Sequence, residues 1–342
     1  MNWRSSLCAA ALAAGVAYLA GGAALAQDYP QLRLRFGHFA PATTAHSQVD
    51  AWAAKEIERR SGGKITQQVF WAGAVGQASE LLGLVGQGAV DIAAVPASYF
   101  PAQLPLLAAP SALPLALPDP QSAQRIMHTL WEEVPQLQEE ARAQKVWPLF
   151  FHSLNQYHLL CRSPVKTLSD LKGLKIRSQG EYIPLALNAV GAVPVTVLPA
   201  EFYESLQRRS VDCMLLPLDL MTAFRLEEVA KFASSINFGA LISNPQWYNL
   251  AKWEGFPPQV KKLLNDVAKD ALKVDLDKAA ESEQAAIEKM KAAGVQFVDF
   301  QEQKEFEAAM PDFLKIWTEK MEKAGKGEAA NVMAKRWREL LQ

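Results

Sequence analysis

The hydrophobic pattern of the chain predicts two similar runs of strands and helices. Residues 32–38 (LRLRFGH) alternate or run apolar as a buried strand does. The first run continues with a helix at about 45–61, a strand at 63–70, a helix at about 77–88 and a strand at 90–95. The second run has a strand at 174–178, a helix at about 181–190, a strand at 192–198, a helix at about 200–209 and a strand at 211–216. Each run has the order β-α-β-α-β, which is typical of a parallel sheet covered by helices.

The two runs also end in the same way. Residues 81–96 and 202–217 both pass from a helical stretch into Val-Asp, four further residues and Pro. Asp91 therefore matches Asp212. Since βαβ units resemble one another, chance is the alternative to a true internal repeat. The repetition indicates a structural role for the two aspartates where helix meets strand, not paired acid–base catalysis.

The last third of the chain is mainly helical. Pro257-Pro258 precedes a run in which apolar residues recur at helical spacing as far as Gly294. Such a helix spans roughly 50 Å at 1.5 Å per residue, so we expect it to brace two lobes. A short strand at 295–300 and helices at about 301–324 and 328–341 follow, the first interrupted by Pro311.

These elements predict an α/β protein of two lobes, each built on a βαβαβ sheet flanked by helices, with the long helix spanning both. A ligand is then expected in the cleft at the carboxyl ends of the strands. The predicted division is lobe one at 27–153 plus about 243–257, lobe two at 154–242 plus about 295–325, a bridging helix at 258–294 and a C-terminal helix at 326–342.

The first 26 residues have the features of an export signal. Arg4 is the only charge, a run rich in Ala, Leu, Val and Gly follows, and Ala24-Leu25-Ala26 is an A-x-A cleavage site. We expect cleavage before Gln27 and a periplasmic mature protein that does not insert into the membrane. An uncleaved membrane anchor is the alternative, because the apolar run is long enough to span a bilayer.

Composition and charge exclude several functions. The 342 residues carry 35 Lys and Arg against 36 Asp and Glu, and this balance argues against nucleic-acid binding, which needs a basic surplus. No phosphate-binding loop, nucleophile elbow or spaced Cys/His zinc set is present in the sequence. The five histidines are scattered, and each is expected to be structural. We therefore predict a protein that is not an enzyme and has no metal or other cofactor.

Two cysteines follow the signal, Cys161 and Cys213. An oxidising compartment permits a disulfide between them. The alternative, two buried free thiols, is the one that we expect from the sequence.

Arg177 is the candidate ligand-binding residue. It lies at the carboxyl end of the first strand of lobe two, where a ligand would be bound. A guanidinium offers a planar fork that holds a carboxylate in two parallel hydrogen bonds. By itself, an arginine at the end of a strand is more often a surface residue.

The segment around Arg177 resembles a known family. Residues 168–212 are similar to the signature of the DctP-type solute receptors of TRAP transporters. The matching motifs are DLKGLKIR, then G-A-V-P-V, an E-x-Y-x-x-L-Q run (here E-F-Y-E-S-L-Q) and V-D. The opening LRFGHFAP, the G-Q-G-A-V-D run and the long helix are similar as well, over essentially all of 30–325. The resemblance implies a two-lobed periplasmic binding protein, a monomer that binds an organic acid and delivers it to membrane permease subunits. It also implies that Arg177 binds the ligand carboxylate.

Other positions depart from the family pattern. Leu216 stands where the family commonly has Asn, and Tyr157 where many members have a second Arg. Phe39 and Pro96 replace residues that are polar or acidic in other members. Each replacement removes charge or polarity, and an unpaired buried charge is costly. We therefore predict a small monocarboxylate with an aliphatic or aromatic body.

The remaining predictions concern the cleft walls and the hinge. Tyr157, Phe39, Tyr99 and Trp247 are candidate walls, with core packing as the alternative for each. Gln77 and Glu80 are expected to open the second helix, within reach of the ligand; the alternative for Glu80 is that it only stabilises the N-terminus of that helix. Strands that cross near 153–157 and 242–250 are expected to act as hinges. A receptor for a sensor kinase and a two-lobed periplasmic enzyme are the alternative functions.

Overall fold

The computed structural model describes residues 28–342, apart from the side chain of Ser243. The predicted signal at 1–26 and its cleavage point before Gln27 lie outside the described residues. Within them, no helix is both long enough and apolar enough to span a bilayer.

The first run of elements has the predicted order. It consists of β1 (Leu32–His38), α1 (Ala45–Arg60), β2 (Ile65–Phe70), α2 (Leu81–Gly86) and β3 (Ile92–Ala94). α1 begins after Thr44, whose side chain accepts a hydrogen bond from the backbone N–H of Ser47. α2 begins four residues later than predicted, because residues 77–80 form a turn in which the backbone N–H of Glu80 donates to Gln77 O at 2.9 Å.

A helical segment then leads to the first crossing between lobes. Its elements are α3 (Pro120–Glu133), α4 (Pro135–Ala143) and β4 (Val146–Ser153), after short 3₁₀ turns at Ala97–Tyr99 and Ala109–Ser111. Asp119 caps α3 by accepting from the backbone N–H of Ser122, and Pro120 occupies the first helical turn.

Lobe two repeats the order of lobe one. It consists of β5 (His158–Cys161), α5 (Leu168–Leu171), β6 (Lys175–Ser178), α6 (Tyr182–Ala189), β7 (Val193–Thr196), α7 (Phe202–Gln207), β8 (Cys213–Leu216), α8 (Leu218–Ala223) and β9 (Phe232–Ser234).

The chain then returns to lobe one and ends in helices. The elements are β10 (Ile242–Asn249), α9 (Leu250–Gly255), α10 (Pro258–Ala292), β11 (Gln296–Val298), α11 (Gln303–Ala309), α12 (Phe313–Lys323) and α13 (Gly327–Leu341). The break between α11 and α12 contains Pro311, as predicted.

The two sheets have matching strand orders, which confirms the internal repeat. The order is β2-β1-β3-β10-β4 in lobe one and β7-β6-β8-β5-β9-β11 in lobe two. The first three strands of each are parallel, as predicted. The next strand is antiparallel to its neighbours in both lobes, because it enters from the other lobe and runs in the opposite direction. Both sheets are therefore mixed, not wholly parallel.

The repeated aspartates make the same hydrogen bond in both lobes. Asp91 Oδ2 accepts from the backbone N–H of Arg35 at 2.7 Å, and Asp212 Oδ2 accepts from that of Lys175 at 2.8 Å. Each carboxylate thus ties the start of the third strand to the first strand. The structural role predicted for them is confirmed.

The long helix α10 contributes to the cores of both lobes, as expected. Val260 and Leu264 pack in the core of lobe one with β1 and β10, whereas Ala286 and Met290 pack in the core of lobe two. The helix has 35 residues, hence a length of roughly 50 Å.

Two boundaries differ from the sequence prediction. α12, which was predicted with lobe two, packs in the core of lobe one, and the indole N–H of Trp317 donates to Pro105 O at 3.1 Å. β10 at 242–249 lies within the sheet of lobe one, so the second crossing segment is 235–241 and not 242–250.

The two crossing segments, 154–157 and 235–241, are hydrogen-bonded to each other. Tyr157 N–H donates to Gly239 O at 2.9 Å, and Phe238 N–H donates to Tyr157 O at 3.0 Å. Gly239 has φ +81°, and a Cβ there would lie 2.8 Å from the carbonyl oxygen of Leu117. Only glycine fits this position without displacing backbone.

Cys161 and Cys213 form a disulfide, so the expectation of free thiols is wrong. The two residues lie directly opposite each other on the antiparallel strands β5 and β8. This register brings the Cα atoms to 4.1 Å. The disulfide depends on the pairing of two strands that are distant in sequence, and the sequence pattern does not show which strands pair.

Candidate ligand-binding site between the lobes

A small cavity lies between the two lobes. It is at the carboxyl ends of the strands, since Phe39 follows β1, Pro96 follows β3, and Leu216 ends β8. A larger open groove on another face is lined by Leu115, Gln156 and Met310, but its charged side chains are exposed. The cavity between the lobes contains a buried charge and is therefore the candidate site.

Arg177 provides that charge. It lies on β6 between β7 and β8, and only 1% of the residue is exposed. Its Nε donates to Val197 O at 3.3 Å, and its Nη1 donates to Leu215 O at 3.2 Å. The guanidinium also lies over the ring of Phe202, 4.7 Å from the ring centroid. These contacts fix the plane of the guanidinium at the wall of the cavity.

No carboxylate of the described residues pairs with Arg177. Its side-chain partners are neutral, namely the amide of Gln179 and the hydroxyl of Tyr99. Burial lowers the pKa of Arg177, because a charged group loses hydration in the interior. A buried guanidinium without a counter-ion is costly, and an anionic ligand would offset that cost.

Gln179 is a site residue that sequence reasoning missed. Its Oε1 accepts from Arg177 Nη2 at 2.6 Å, and its Nε2 donates to the hydroxyl of Tyr157 at 3.4 Å. Its position two residues after Arg177 could have indicated it, because residues i and i+2 lie on the same face of an extended chain.

Tyr157, Tyr99, Phe39 and Leu216 line the same cavity as Arg177. Burial raises the pKa of both tyrosines, so that their phenols are neutral donors at ordinary pH. Phe39 contacts Tyr99 edge to face, with ring centroids 6.3 Å apart. Leu216 is 2% exposed. The structure thus brings five of the seven candidate residues together.

Trp247 and Gln77 lie elsewhere. Trp247 is wholly buried in the core of lobe one, where its indole N–H donates to Val95 O at 2.9 Å. Ile242, at the start of the same strand, reaches the cavity instead. Gln77 is exposed in the turn before α2, and its backbone N–H donates to Glu80 Oε2 at 2.7 Å. Glu80 is the N-cap residue of α2, which begins at Leu81, whereas Gln77 lies in the turn before it, and neither side chain lines the cavity.

Two further polar residues of lobe one, His46 and Ser98, line the cavity and are each 2% exposed. His46 Nε2 lies 3.2 Å from the hydroxyl of Thr44. Its Nδ1 and the Ser98 Oγ have no hydrogen-bond partner among the described residues. Burial, and secondarily His38, lower the pKa of His46 well below its ordinary value, so the imidazole is neutral.

A buried charge network lies behind this wall. His152, at the end of β4, donates from Nε2 to Asp50 Oδ1 at 2.9 Å and from Nδ1 to Asp275 Oδ1 at 2.5 Å. Burial lowers the pKa of His152, but the two carboxylates outweigh burial and raise it to about 10. The residue is therefore an imidazolium at neutral pH. It joins α1, β4 and α10 where the chain leaves lobe one.

His38 belongs to the same network as a neutral imidazole. Its Nδ1 accepts from the backbone N–H of Ala40 at 3.0 Å, so Nε2 carries the proton and donates to Asp50 Oδ2 at 3.0 Å. Burial alone would raise the pKa of Asp50, but the His152 imidazolium and the hydrogen bonds hold it well below its usual range. Both histidines are structural, as the sequence analysis expected.

The site has the chemistry of a binding pocket. Its one charged group is an arginine, and its other polar side chains are the amide of Gln179, hydroxyls and a neutral imidazole. Within residues 28–342, no cluster of three or more His, Cys, Asp or Glu side chains has the arrangement to hold a metal ion.

Comparison with known proteins identifies the family. Residues 36–323 match the family model DctP, described as bacterial extracellular solute-binding protein, family 7. The chain is 27% identical to the 2,3-diketo-L-gulonate-binding periplasmic protein YiaO of Escherichia coli, over 81% of this chain and 84% of that protein. It is also 32% identical to the C4-dicarboxylate-binding periplasmic protein DctP of Rhodobacter capsulatus, but over only 39% of this chain and 40% of that protein.

Solved structures share the fold. A TRAP periplasmic solute-binding protein of Desulfovibrio salexigens with bound orotic acid superposes with a TM-score of 0.80 at 20% identity, covering 90% of this chain and 99% of that one. A TRAP periplasmic solute-binding protein of Sulfitobacter with bound β-D-galacturonate superposes with a TM-score of 0.77 at 17% identity, covering 90% of this chain and 99% of that one. The chain therefore belongs to the DctP family of bacterial extracellular solute-binding proteins, the periplasmic receptors of TRAP transporters.

Proposed function

We propose that this receptor binds a small monocarboxylate with an aliphatic or aromatic body through Arg177 and delivers it to a membrane permease. The observation that supports the proposal is the buried guanidinium, which has no carboxylate partner among the described residues and lies at the wall of the cavity. A carboxylate placed there would form charge-assisted hydrogen bonds to the N–H groups that the protein leaves free. The mature protein works as a monomer in the periplasm.

The rest of the cavity favours a single negative charge. Leu216, Phe39 and Pro96 are apolar, and Tyr157 presents a neutral phenol. A second carboxylate would be buried without a cationic partner, at a cost of several kcal/mol. Orotic acid, the uronates and diketogulonate, which the names of related proteins mention, are acids as well.

Ligand binding is coupled to closure of the cleft. The groups that would contact the ligand come from both lobes, with Tyr99 and Phe39 on lobe one and Arg177 on lobe two. A ligand that contacts both walls binds the closed form more tightly than the open form. The difference between these two affinities sets how far the ligand shifts the population toward the closed form. The hydrogen-bonded segments 154–157 and 235–241 form the hinge, and α10 bends or slides with them.

The test is binding of organic acids to the wild-type protein and to Arg177→Ala. A thermal-shift screen over monocarboxylates and dicarboxylates identifies ligands, since an acid at 100 times its Kd adds about 2.7 kcal/mol of stability. Titration calorimetry then gives Kd for each variant. We expect Arg177→Ala to lose most of the affinity, and Arg177→Lys to recover only part, because lysine lacks the planar fork.

Arg208→Ala is the matched control. Arg208 belongs to the same lobe, but its side chain is 76% exposed in a pair with Glu204. This variant should bind like wild type. If Arg177→Ala binds its acid as tightly as wild type, or if only dicarboxylates bind, the proposed function is wrong.

A further inference from the structure

The lobe-one wall of the cavity contains two buried polar atoms that the protein leaves without partners. They are His46 Nδ1 and Ser98 Oγ, and both residues are 2% exposed and line the cavity that Arg177 lines from lobe two. Most buried polar atoms in folded proteins have a hydrogen-bond partner. Two such atoms in one cavity wall therefore point to a ligand that supplies the missing partners.

The position of the His46 ring is well defined. The ring stacks on Phe39 with centroids 5.6 Å apart and an angle of 2° between the planes, and its Nε2 contacts the Thr44 hydroxyl. His38 and His152 lie on other sides of it, with ring centroids at 5.7 and 5.9 Å. The free Nδ1 is thus held in place before a ligand arrives.

We propose that His46 and Ser98 form a second polar subsite, which takes a neutral hydroxyl or oxo group of the ligand while Arg177 takes its carboxylate. This inference rests on the proposed function and narrows it, because the ligand becomes a hydroxy- or oxo-monocarboxylate. The body between the two polar groups contacts Phe39, Tyr99 and Leu216, and it remains apolar.

The charges around His46 favour a neutral group over a second anion. Its pKa lies well below the ordinary value, so the ring presents no positive charge at neutral pH. The titratable groups around it are His38, His152 and Asp50. The His152 imidazolium is neutralised by two carboxylates, and Asp50 is anionic. No unpaired cation among the described residues is left for a second carboxylate on this side.

An acid without the second polar group would leave His46 Nδ1 and Ser98 Oγ buried without hydrogen-bond partners. Leaving a buried donor or acceptor without its partner costs about 1–3 kcal/mol, which corresponds to about 5-fold to 150-fold in affinity. The preference for the oxygenated acid over its apolar parent is therefore the quantity to measure.

The experiment uses matched acids and titration calorimetry on the full mature protein. The probes are benzoate with 4-hydroxybenzoate, cyclohexanecarboxylate with its 4-hydroxy derivative, and hexanoate with 6-hydroxyhexanoate. In at least one pair we expect the hydroxy acid to bind wild type about tenfold more tightly than its parent. In His46→Phe, which keeps a ring for stacking on Phe39, and in Ser98→Ala the preference should fall toward unity.

Ser111→Ala is the matched control. Ser111 lines the same cavity, but its Oγ already donates to Ala108 O at 3.1 Å. This variant should keep the preference of wild type. Since each preference is a ratio measured within one variant, a loss of some folded protein does not alter it.

The outcomes separate the two proposals. If parent acids bind wild type as tightly as their hydroxy derivatives, or if His46→Phe and Ser98→Ala both retain the preference, the second subsite is wrong and the monocarboxylate proposal stands. If none of the six acids binds, both proposals are overturned. The wild-type ratios decide the question even if a variant fails to fold.

Discussion

The imidazole of His152 lies 2.5 Å from the carboxylate of Asp275, and this contact joins the last residues of β4 to the long helix α10. Asp275 also accepts hydrogen bonds at 2.9 and 3.0 Å from the backbone N–H and the hydroxyl of Ser153. Ser153 is the last residue before the first crossing segment. The helix that spans both lobes is therefore fixed to lobe one next to the first crossing segment.

Replacing Asp275 by Ala should destabilise the protein strongly. The substitution leaves the buried His152 imidazolium with one carboxylate instead of two, and it leaves the Ser153 N–H without an acceptor. Breaking a buried charge pair from one side costs roughly 3–5 kcal/mol. Urea denaturation should show a lower midpoint with an unchanged slope.

Asp277→Ala is the control for this prediction. It lies two residues further along the same helix, and its carboxylate is 55% exposed in a pair with Lys273. Exposed pairs contribute about 0–1 kcal/mol, so this variant should be nearly as stable as wild type. Equal stabilities for the two variants would contradict the role assigned to the network.

Stability should fall as the pH rises from neutral toward 10. The pKa of His152 is about 10 in the folded protein, and that of an unfolded histidine is about 6.5. Between these values the folded state holds a proton that the unfolded state releases. The contribution of His152 is thus complete below pH 6.5 and is lost as the pH rises through 10, at about 1.4 kcal/mol per unit.

The comparison with His152→Gln isolates this effect. Denaturation midpoints at several pH values between 7 and 10 should decline more steeply for wild type than for the variant. The histidines whose pKa is lowered, such as His46 and His128, affect stability at acidic pH instead. They destabilise the folded state as the pH falls below 6.5, because the unfolded state then binds protons that the folded state does not. Parallel declines in wild type and variant would show that His152 is not protonated in the native state.

The fold could be predicted largely because local patterns carry it. The β-α-β-α-β order, the repeated Val-Asp endings and the helix that begins after Pro257 are all confirmed. What failed depends on contacts between distant segments. The antiparallel entry of β10, the packing of α12 on lobe one and the Cys161–Cys213 disulfide follow from strand pairing and helix docking, which periodicity does not encode.

The candidate site could be predicted only in part, for a similar reason. Arg177 was found because it lies near the end of a strand, in a segment that resembles the signature of the DctP-type receptors. His152 and Asp275 are 123 positions apart, and nothing near either residue indicates the other. Trp247 was misplaced among the walls because an aromatic side chain alone does not show which face of a strand is directed to the cleft. Its neighbours in the sheet place it in the core.

Replacing Gln179 should weaken binding by its effect on Arg177. In Gln179→Ala the guanidinium loses an acceptor that lies 2.6 Å from Nη2, and we expect affinity for the best monocarboxylate to fall about tenfold. Gln179→Glu should be worse, because an internal carboxylate pairs with Arg177 and competes with that of the ligand. Titration calorimetry on both variants shows which of the two binds the acid more weakly. Tighter binding by Gln179→Glu than by Gln179→Ala would exclude an anionic ligand at Arg177.

Replacing the repeated aspartates should change stability without changing ligand affinity. Asp91 and Asp212 lie at the starts of β3 and β8, whereas the cavity lies at the opposite ends of these strands. Asp91→Ala and Asp212→Ala should each cost about 1 kcal/mol, because a backbone N–H loses its acceptor. The Asn variants keep an acceptor oxygen and should lose less. A large fall in ligand affinity for Asp212→Ala would show that the start of the strand is coupled to the cavity.

Removing the disulfide should destabilise lobe two without abolishing its fold. Cys161 and Cys213 are 52 residues apart, and closing a loop of that size stabilises a protein by roughly 4 kcal/mol when the entropy of the unfolded chain dominates. Urea denaturation of Cys161→Ala/Cys213→Ala should therefore show a clearly lower midpoint than oxidised wild type. Dithiothreitol should lower the midpoint of wild-type protein consisting of residues 27–342 and leave that of the double variant unchanged, because these residues contain no other cysteine. Titration of two free thiols in urea without reductant would show that the bond is absent, and the midpoint difference would then reflect only the lost packing of two buried side chains.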